Sequence, residues 1–262
     1  MGTLFYFVFI NSIGKSTKAG PRTYIALGDS VAAGTGLSTS DDSSGCSRTS
    51  QAYPNIVADS KELLLMNLAC SGSSLVAGII GSQTVNGVVI EAQLDQLYAQ
   101  PKPYLVTVTI GANDMGWREI IIKCYTSSCG SVSDTSVFDS KLKDFSVSLN
   151  KMLYQIDIHY QHSAPKLVVT GYHQVLPATK QSCLELSGFD QNEIDWNREQ
   201  LGKLNSTVRD VVSKYSYAKY VEVDFSGHEL CTGTPWVQNI SSLAPLHPNQ
   251  DGQLIYAKAA SE

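Results

Sequence analysis

Five short apolar runs set the frame for this chain. Thr23–Leu27 (TYIAL), Leu63–Leu68 (LLLMNL), Tyr104–Ile110 (YLVTVTI), Lys166–Thr170 (KLVVT) and Tyr220–Asp224 (YVEVD) are short, and most are rich in β-branched residues. Runs of that length and composition read as buried strands. Stretches with helical spacing lie between them. Phe138, Leu142, Phe145, Leu149, Met152 and Ile156 form one apolar stripe, and Ile194, Leu201, Leu204, Val208, Val211 and Tyr215 form another. Strand and helix in alternation predict a parallel sheet covered on both faces, the α/β class. No internal repeat or low-complexity linker interrupts the pattern. With 43% hydrophobic and 16% charged residues, one globular domain over residues 21–262 is the expectation. The segments 41–50 and 124–136, rich in Ser, Gly and Cys, read as loops.

Composition excludes several classes. The net charge is -5, and the lysines and arginines are scattered, so no basic face for nucleic acid is expected. No C-x-x-C pair, H-E-x-x-H or comparable ligand cluster is visible, so neither metal nor cofactor is expected. The six cysteines, Cys46, Cys70, Cys124, Cys129, Cys183 and Cys231, are better read as a disulfide framework, which implies an oxidising compartment. Their pairing does not follow from spacing, since six cysteines allow about fifteen arrangements. The run LFYFVFI (Leu4–Ile10), followed by a polar stretch, is similar to the core of a signal peptide, although no positive charge precedes it. Residues 1–20 are read as a targeting remnant or a disordered N-terminus, in preference to a first strand or a cloning remnant, and an exported protein is expected. Asn205-Ser-Thr and Asn239-Ile-Ser match the N-glycosylation pattern.

In parallel sheets ligands bind beyond the carboxyl ends of the strands. The first strand runs into ALGDSVAAGTG, where Ser30 sits at a strand-to-helix turn, the alternative being that Asp29 or Ser30 only caps the helix. The second runs into NLACSGSS, where Gly72 lets a backbone N–H approach a ligand closely. The third runs into IGANDMGW, where the amide of Asn113 can donate to an oxyanion, or Asn113 or Asp114 can cap a helix. Near the far end, SLAPLHPNQDG places His247 just before a final helical pattern. Of the five histidines it is best placed as a base. His159 and His162 lie near a helix end, His173 follows the fourth strand and can line the cleft, and His228 is read as holding the loop around Cys231. Trp117 and Trp236 can line a cleft or simply pack. A hydroxyl nucleophile, a base and two further donors are the set that acyl transfer requires.

With these four blocks in hand, the chain resembles the GDSL family, the SGNH hydrolases. The markers stand in family order: Ser30 in GDS, Gly72 in CSGSS, Asn113 in GAND and His247 in HPN, over a match running from about residue 22 onward. The contexts SSGCSRTSQAYP and GHELC are most similar to secreted bacterial lipases and esterases with three disulfides. That resemblance implies a flavodoxin-like three-layer α/β/α sandwich, five parallel strands in order 2-1-3-4-5, and the sequential bridges Cys46–Cys70, Cys124–Cys129 and Cys183–Cys231. It implies a serine carboxylester hydrolase of lipase, phospholipase or esterase type, acting on small-molecule or lipid esters. Ser30 would be the nucleophile and His247 the base, with an oxyanion hole from the Ser30 N–H, the Gly72 N–H and the Asn113 side chain. A monomer with transient contact to a lipid interface is expected.

One departure stands out. Much of the family carries Asp three residues before the histidine, and here that position is Ala244, followed by Pro245 and Leu246. A neutral imidazole still needs its second N–H held. The expectation is a Ser30–His247 dyad oriented by the backbone carbonyl of Ala244 or Pro245, with Asp224 or Asp251 as acidic alternatives. Other readings are a carbohydrate acetyl-esterase and a catalytically silent binding domain of the same fold. An α/β-hydrolase is set aside, because it wants G-x-S-x-G at a mid-chain elbow.

Overall fold

The computed structural model describes residue 20, residues 22–37 and residues 42–262. The apolar run at Leu4–Ile10 and the rest of the expected leader, apart from Gly20, lie outside the described residues. Five strands form one parallel sheet: β1 (Thr23–Gly28), β2 (Leu64–Asn67), β3 (Leu105–Thr109), β4 (Lys166–Thr170) and β5 (Ala218–Val221). Their spatial order is β2-β1-β3-β4-β5, with every neighbouring pair parallel. The expected order is therefore present. The central strands β1 and β3 are buried almost throughout, whereas the edge strands β2 and β5 alternate exposed and half-buried positions, β5 ending on the buried Val221. The fifth strand begins two residues earlier than its apolar run. The ladder with β4 ends at Val221, and Val223 and Phe225 continue inward as buried loop residues.

The helices are α1 (Ser30–Ala33), α2 (Tyr53–Lys61), α3 (Gln93–Tyr98), α4 (Ala112–Met115), α5 (Trp117–Thr126), α6 (Val132–His159), α7 (Gln191–Val212) and α8 (Gln250–Ser261). Helices α2 and α8 pack together on one side of the sheet, α6 and α7 on the other, giving three layers. Tyr53 of α2 stacks on Tyr256 of α8 at 5.6 Å between ring centroids. Its hydroxyl lies 2.9 Å from Thr109 Oγ1, and Tyr24 Oη lies 2.6 Å from Thr107 Oγ1. Side chains alternate faces along a strand, so Val106 and Val108 point to the opposite layer. Pairing these hydroxyls lets the buried polar groups avoid the cost of lost hydration.

Two segments differ from the sequence reading. Residues 124–136 are mostly helical, because Ser131 and Asp134 form a reciprocal capping box that starts α6 at Val132. Between β2 and α3 a small antiparallel hairpin pairs Gln83–Val85 with Val88–Ile90. Asn86 and Gly87 both have positive φ there, as a tight two-residue hairpin turn requires.

All three bridges form: Cys46–Cys70, Cys124–Cys129 and Cys183–Cys231. The first fastens the loop before α2 to the end of β2, and the third joins the loops that follow β4 and β5. Asn205 lies inside α7, and its amide donates to the Tyr172 carbonyl at 2.7 Å. That bond and the helical backbone make this sequon a poor acceptor, whereas Asn239 is exposed. Among the described residues no helix is long and apolar enough to cross a membrane.

Candidate active site

The sheet order reverses between β1 and β3, and in open α/β sheets ligands bind beyond the strand ends at such a switch point. Ser30 and Asn113 flank it. Gly28, at φ 137, closes β1 so tightly on β3 that a side chain there would collide with the Thr109 carbonyl. Asp29 N–H then donates to Thr109 O at 3.0 Å, and Asp29 Oδ1 accepts from Val31 N at 2.9 Å. The cap is thus Asp29, which frees Ser30 to begin the helix with its hydroxyl outward.

Ser30 Oγ lies 2.7 Å from His247 Nε2, across 217 residues of sequence. The other ring nitrogen, Nδ1, lies 3.0 Å from the Pro245 carbonyl. A carbonyl only accepts, so Nδ1 carries the proton and Nε2 presents its lone pair to the Ser30 hydroxyl. Burial holds the His247 pKa below its ordinary 6.5, with the Pro245 and Ala244 carbonyls pulling the other way. The choice left open between Ala244 and Pro245 falls on Pro245 for the ring. Ala244 O instead accepts the His247 backbone N–H at 3.3 Å. Neither acidic alternative reaches the imidazole: Asp224 accepts from Ser226 at 2.8 and 2.6 Å, and Asp251 sits exposed in the first turn of α8.

The histidine loop is braced from several sides. Gln238 N–H donates to His247 O at 2.8 Å and Leu246 N–H to Gln238 O at 3.0 Å. Asn249 caps α8 through Gly252 N at 3.1 Å. His173 is buried rather than lining a cleft: its Nε2–H donates to Leu246 O at 3.4 Å, and its Nδ1 accepts from Tyr256 Oη at 2.8 Å. Burial pushes its pKa down to about 3, so it supports the loop as a neutral ring. His228 holds its own loop through Thr234 O at 2.7 Å and stacks on Trp236. Trp117 packs edge-on against Phe138.

Gly72 has φ 82 and open space around it, and its N–H donates to no described residue. Asn113 Nδ2 donates to Ser73 O at 2.8 Å, which fastens its amide to the residue after Gly72. One N–H of that amide remains, and α4 takes no cap from either Asn113 or Asp114. Asp114 instead accepts Leu75 N–H at 3.0 Å, and burial raises its carboxyl to about 6.

A residue without any sequence signal joins these loops. Gln93, 1% exposed, accepts Gly28 N–H at 2.8 Å and donates to Gly28 O and Ser73 Oγ at 2.9 Å each. It couples the turn before Ser30 to the turn carrying Gly72. Only its burial and its long-range partners reveal it, and neither is visible in one sequence.

Comparison with known proteins points to one family. A model of the GDSL-like Lipase/Acylhydrolase family matches residues 26–255. Lipase 2 of Streptomyces coelicolor is 30% identical over 251 residues, covering 88% of this chain and 81% of that protein. The solved extracellular lipase of Streptomyces rimosus superposes with a TM-score of 0.65 at 25% identity, covering 91% of this chain and 99% of that one. The phospholipase A1 of Streptomyces albidoflavus NA297 gives a TM-score of 0.73 at 24% identity, covering 91% and 98%, a likeness of fold.

Proposed function

The chain belongs to the GDSL-like lipase/acylhydrolase family and is an ester hydrolase, and we propose that it acts through an acyl-enzyme on Ser30. The observation that carries this reading is the relay Ser30 Oγ to His247 Nε2 at 2.7 Å, with Nδ1 held by Pro245 O at 3.0 Å. As Ser30 Oγ attacks the ester carbonyl, its proton passes to Nε2. The resulting imidazolium is held by Pro245 O, which stabilises it less than a buried carboxylate would. The tetrahedral oxyanion is received by the Ser30 N–H at the start of α1, the Gly72 N–H and the free N–H of Asn113. His247 then gives its proton to the leaving alcohol. Water, activated by the same ring, releases the acid.

The substrates proposed are carboxylic esters of lipid or phospholipid type. Leu243, fully exposed on the loop that carries His247, supports transient contact of that rim with a lipid surface. Three disulfides suit an oxidising compartment, and secretion is part of the reading. A monomer is part of the same reading.

A fluorophosphonate should label the protein at Ser30, and Ser30→Ala should lose both labelling and turnover while keeping its fold. Hydrolysis surviving in that variant would move the nucleophile elsewhere. A series of p-nitrophenyl acyl esters reads the acyl preference: a maximum at long chains supports the lipase reading, and one at acetate replaces it with a sugar deacetylase.

A further inference from the structure

Tyr172 follows β4 by two residues and is 6% exposed. Its hydroxyl donates to Asp29 Oδ2 and accepts the Ala112 N–H at 3.1 Å. Those two residues immediately precede Ser30 and Asn113. The phenol oxygen therefore touches the ends of β1 and β3 at once, on either side of the switch point. We propose that Tyr172 is a positioning residue, a strut that sets the spacing between the Ser30 nucleophile and the Asn113 amide. The proposal rests on the acyl-enzyme reading above.

Three observations carry it. The helix α4 that bears Asn113 has no side-chain cap from its own N-cap, Gly111, and Ala112 supplies its first N–H. Such N–H groups have no partner within the helix, so an acceptor placed there fixes the helix end. Here the acceptor comes from 60 residues away. Second, Asp29 spends one carboxylate oxygen on the Val31 N–H and the other on Tyr172. The same carboxyl thus orients α1 and receives the strut. Third, the strut is itself anchored. Asn205 Oδ1 accepts the Tyr172 N–H at 2.8 Å, and Asn205 Nδ2 donates to the Tyr172 carbonyl at 2.7 Å. Both backbone groups of Tyr172 are clamped by one amide, so the ring cannot drift along β4.

An oxyanion donor acts only when it meets the developing charge at hydrogen-bond distance, and an error of about 1 Å costs on the order of a hundredfold in rate. A strut of this kind therefore acts on kcat through Asn113 and leaves ground-state binding largely alone. Tyr172 does not touch the reacting atoms.

The test is a double-mutant cycle on the full chain, read as kcat and KM on a p-nitrophenyl ester. Tyr172→Phe should lower kcat about tenfold with KM changed less than about twofold. In an Asn113→Ala background the same change should lower kcat by less than about twofold, because the group it aligns is gone. An unchanged kcat in the first case, or equal losses in both backgrounds, overturns the strut. If circular dichroism shows Tyr172→Phe unfolded, Asn205→Asp replaces it. That variant keeps the phenol but loosens its anchor, and a loss that disappears with Asn113→Ala is again expected. Ser30→Ala separates the two layers of the argument: if it stays active, the acyl-enzyme reading fails and the strut falls with it. If it is inactive and the cycle is additive, the strut alone fails.

Discussion

The methyl of Ala244 lies where a side chain at Gly36 would have to go. The loop after α1 closes directly on the residue three before His247. Gly36 holds φ 84, the left-handed region, so backbone and packing agree on glycine there. Ala244 is 4% exposed and is thereby committed to packing, which leaves orientation of the imidazole to Pro245 O.

Among the described residues no carboxylate meets His247 Nδ1, so the proposed relay should run without an acid. Asp224→Asn and Asp251→Asn should each keep kcat within about twofold of the parent, since surface changes away from such features are usually small in effect. Steady-state kinetics on one ester decide it. A loss of a hundredfold or more in either variant, with an unchanged circular dichroism spectrum, would restore an acid to the relay.

The pH profile carries a sign. Burial disfavours the imidazolium, so His247 stays neutral, and competent as a base, to below its ordinary 6.5. The acid limb of kcat/KM should accordingly fall below pH 6.5. Asp29, raised by burial to about 7, and Asp114, raised to about 6, titrate nearby. The profile is therefore repeated in Asp29→Asn and Asp114→Asn, where a limb set by His247 keeps its position. A limb that vanishes with either carboxyl assigns the titration to that group.

Gln93→Ala should be costly in two ways. It leaves the Gly28 N–H buried without an acceptor, which costs about 1–3 kcal/mol, and it uncouples the Ser30 turn from the Gly72 turn. Thermal denaturation should show a drop of several degrees. The kcat of the folded fraction should fall by more than tenfold. Full activity in that variant would mean that the two turns are set independently.

The disulfides should rank by the chain they close. Cys183–Cys231 spans 48 residues and Cys124–Cys129 spans 5. The loop-entropy relation gives about 4 kcal/mol for the first and about 2 kcal/mol for the second, with Cys46–Cys70 between them. Pairwise Cys→Ala variants in denaturant titrations test the order. Equal midpoints in all three would show that bridge-specific packing dominates over chain entropy.

Much of the candidate site was legible because its motifs are local. Ser30, Gly72 and Asn113 each follow an apolar run that ends a strand, and His247 stands in a Pro-bounded turn before a helix. The sheet was legible for the same reason, since buried strands announce themselves in short β-branched runs. What escaped depends on distant partners. Gln93 acts on Gly28 across 65 residues and Tyr172 on Asp29 across 143, and no periodicity encodes either bond. The choice between two adjacent carbonyls for His247 depends on ring rotation, which sequence does not carry. The hairpin at Asn86-Gly87 did have a local signal, but its short strands are largely exposed and carry no core pattern.

Helix α8 has a consequence for when this chain can act. Gln253 in that helix accepts the Tyr53 N–H at 2.8 Å and donates to Val31 O at 3.1 Å, so the element following His247 is sewn to both α1 and α2. A ribosome delivers the hydroxyl more than two hundred residues ahead of its proton acceptor. Until that late segment seats itself, Ser30 Oγ has no imidazole beside it, so under the proposed relay a partly made polypeptide holds only an ordinary alcohol there.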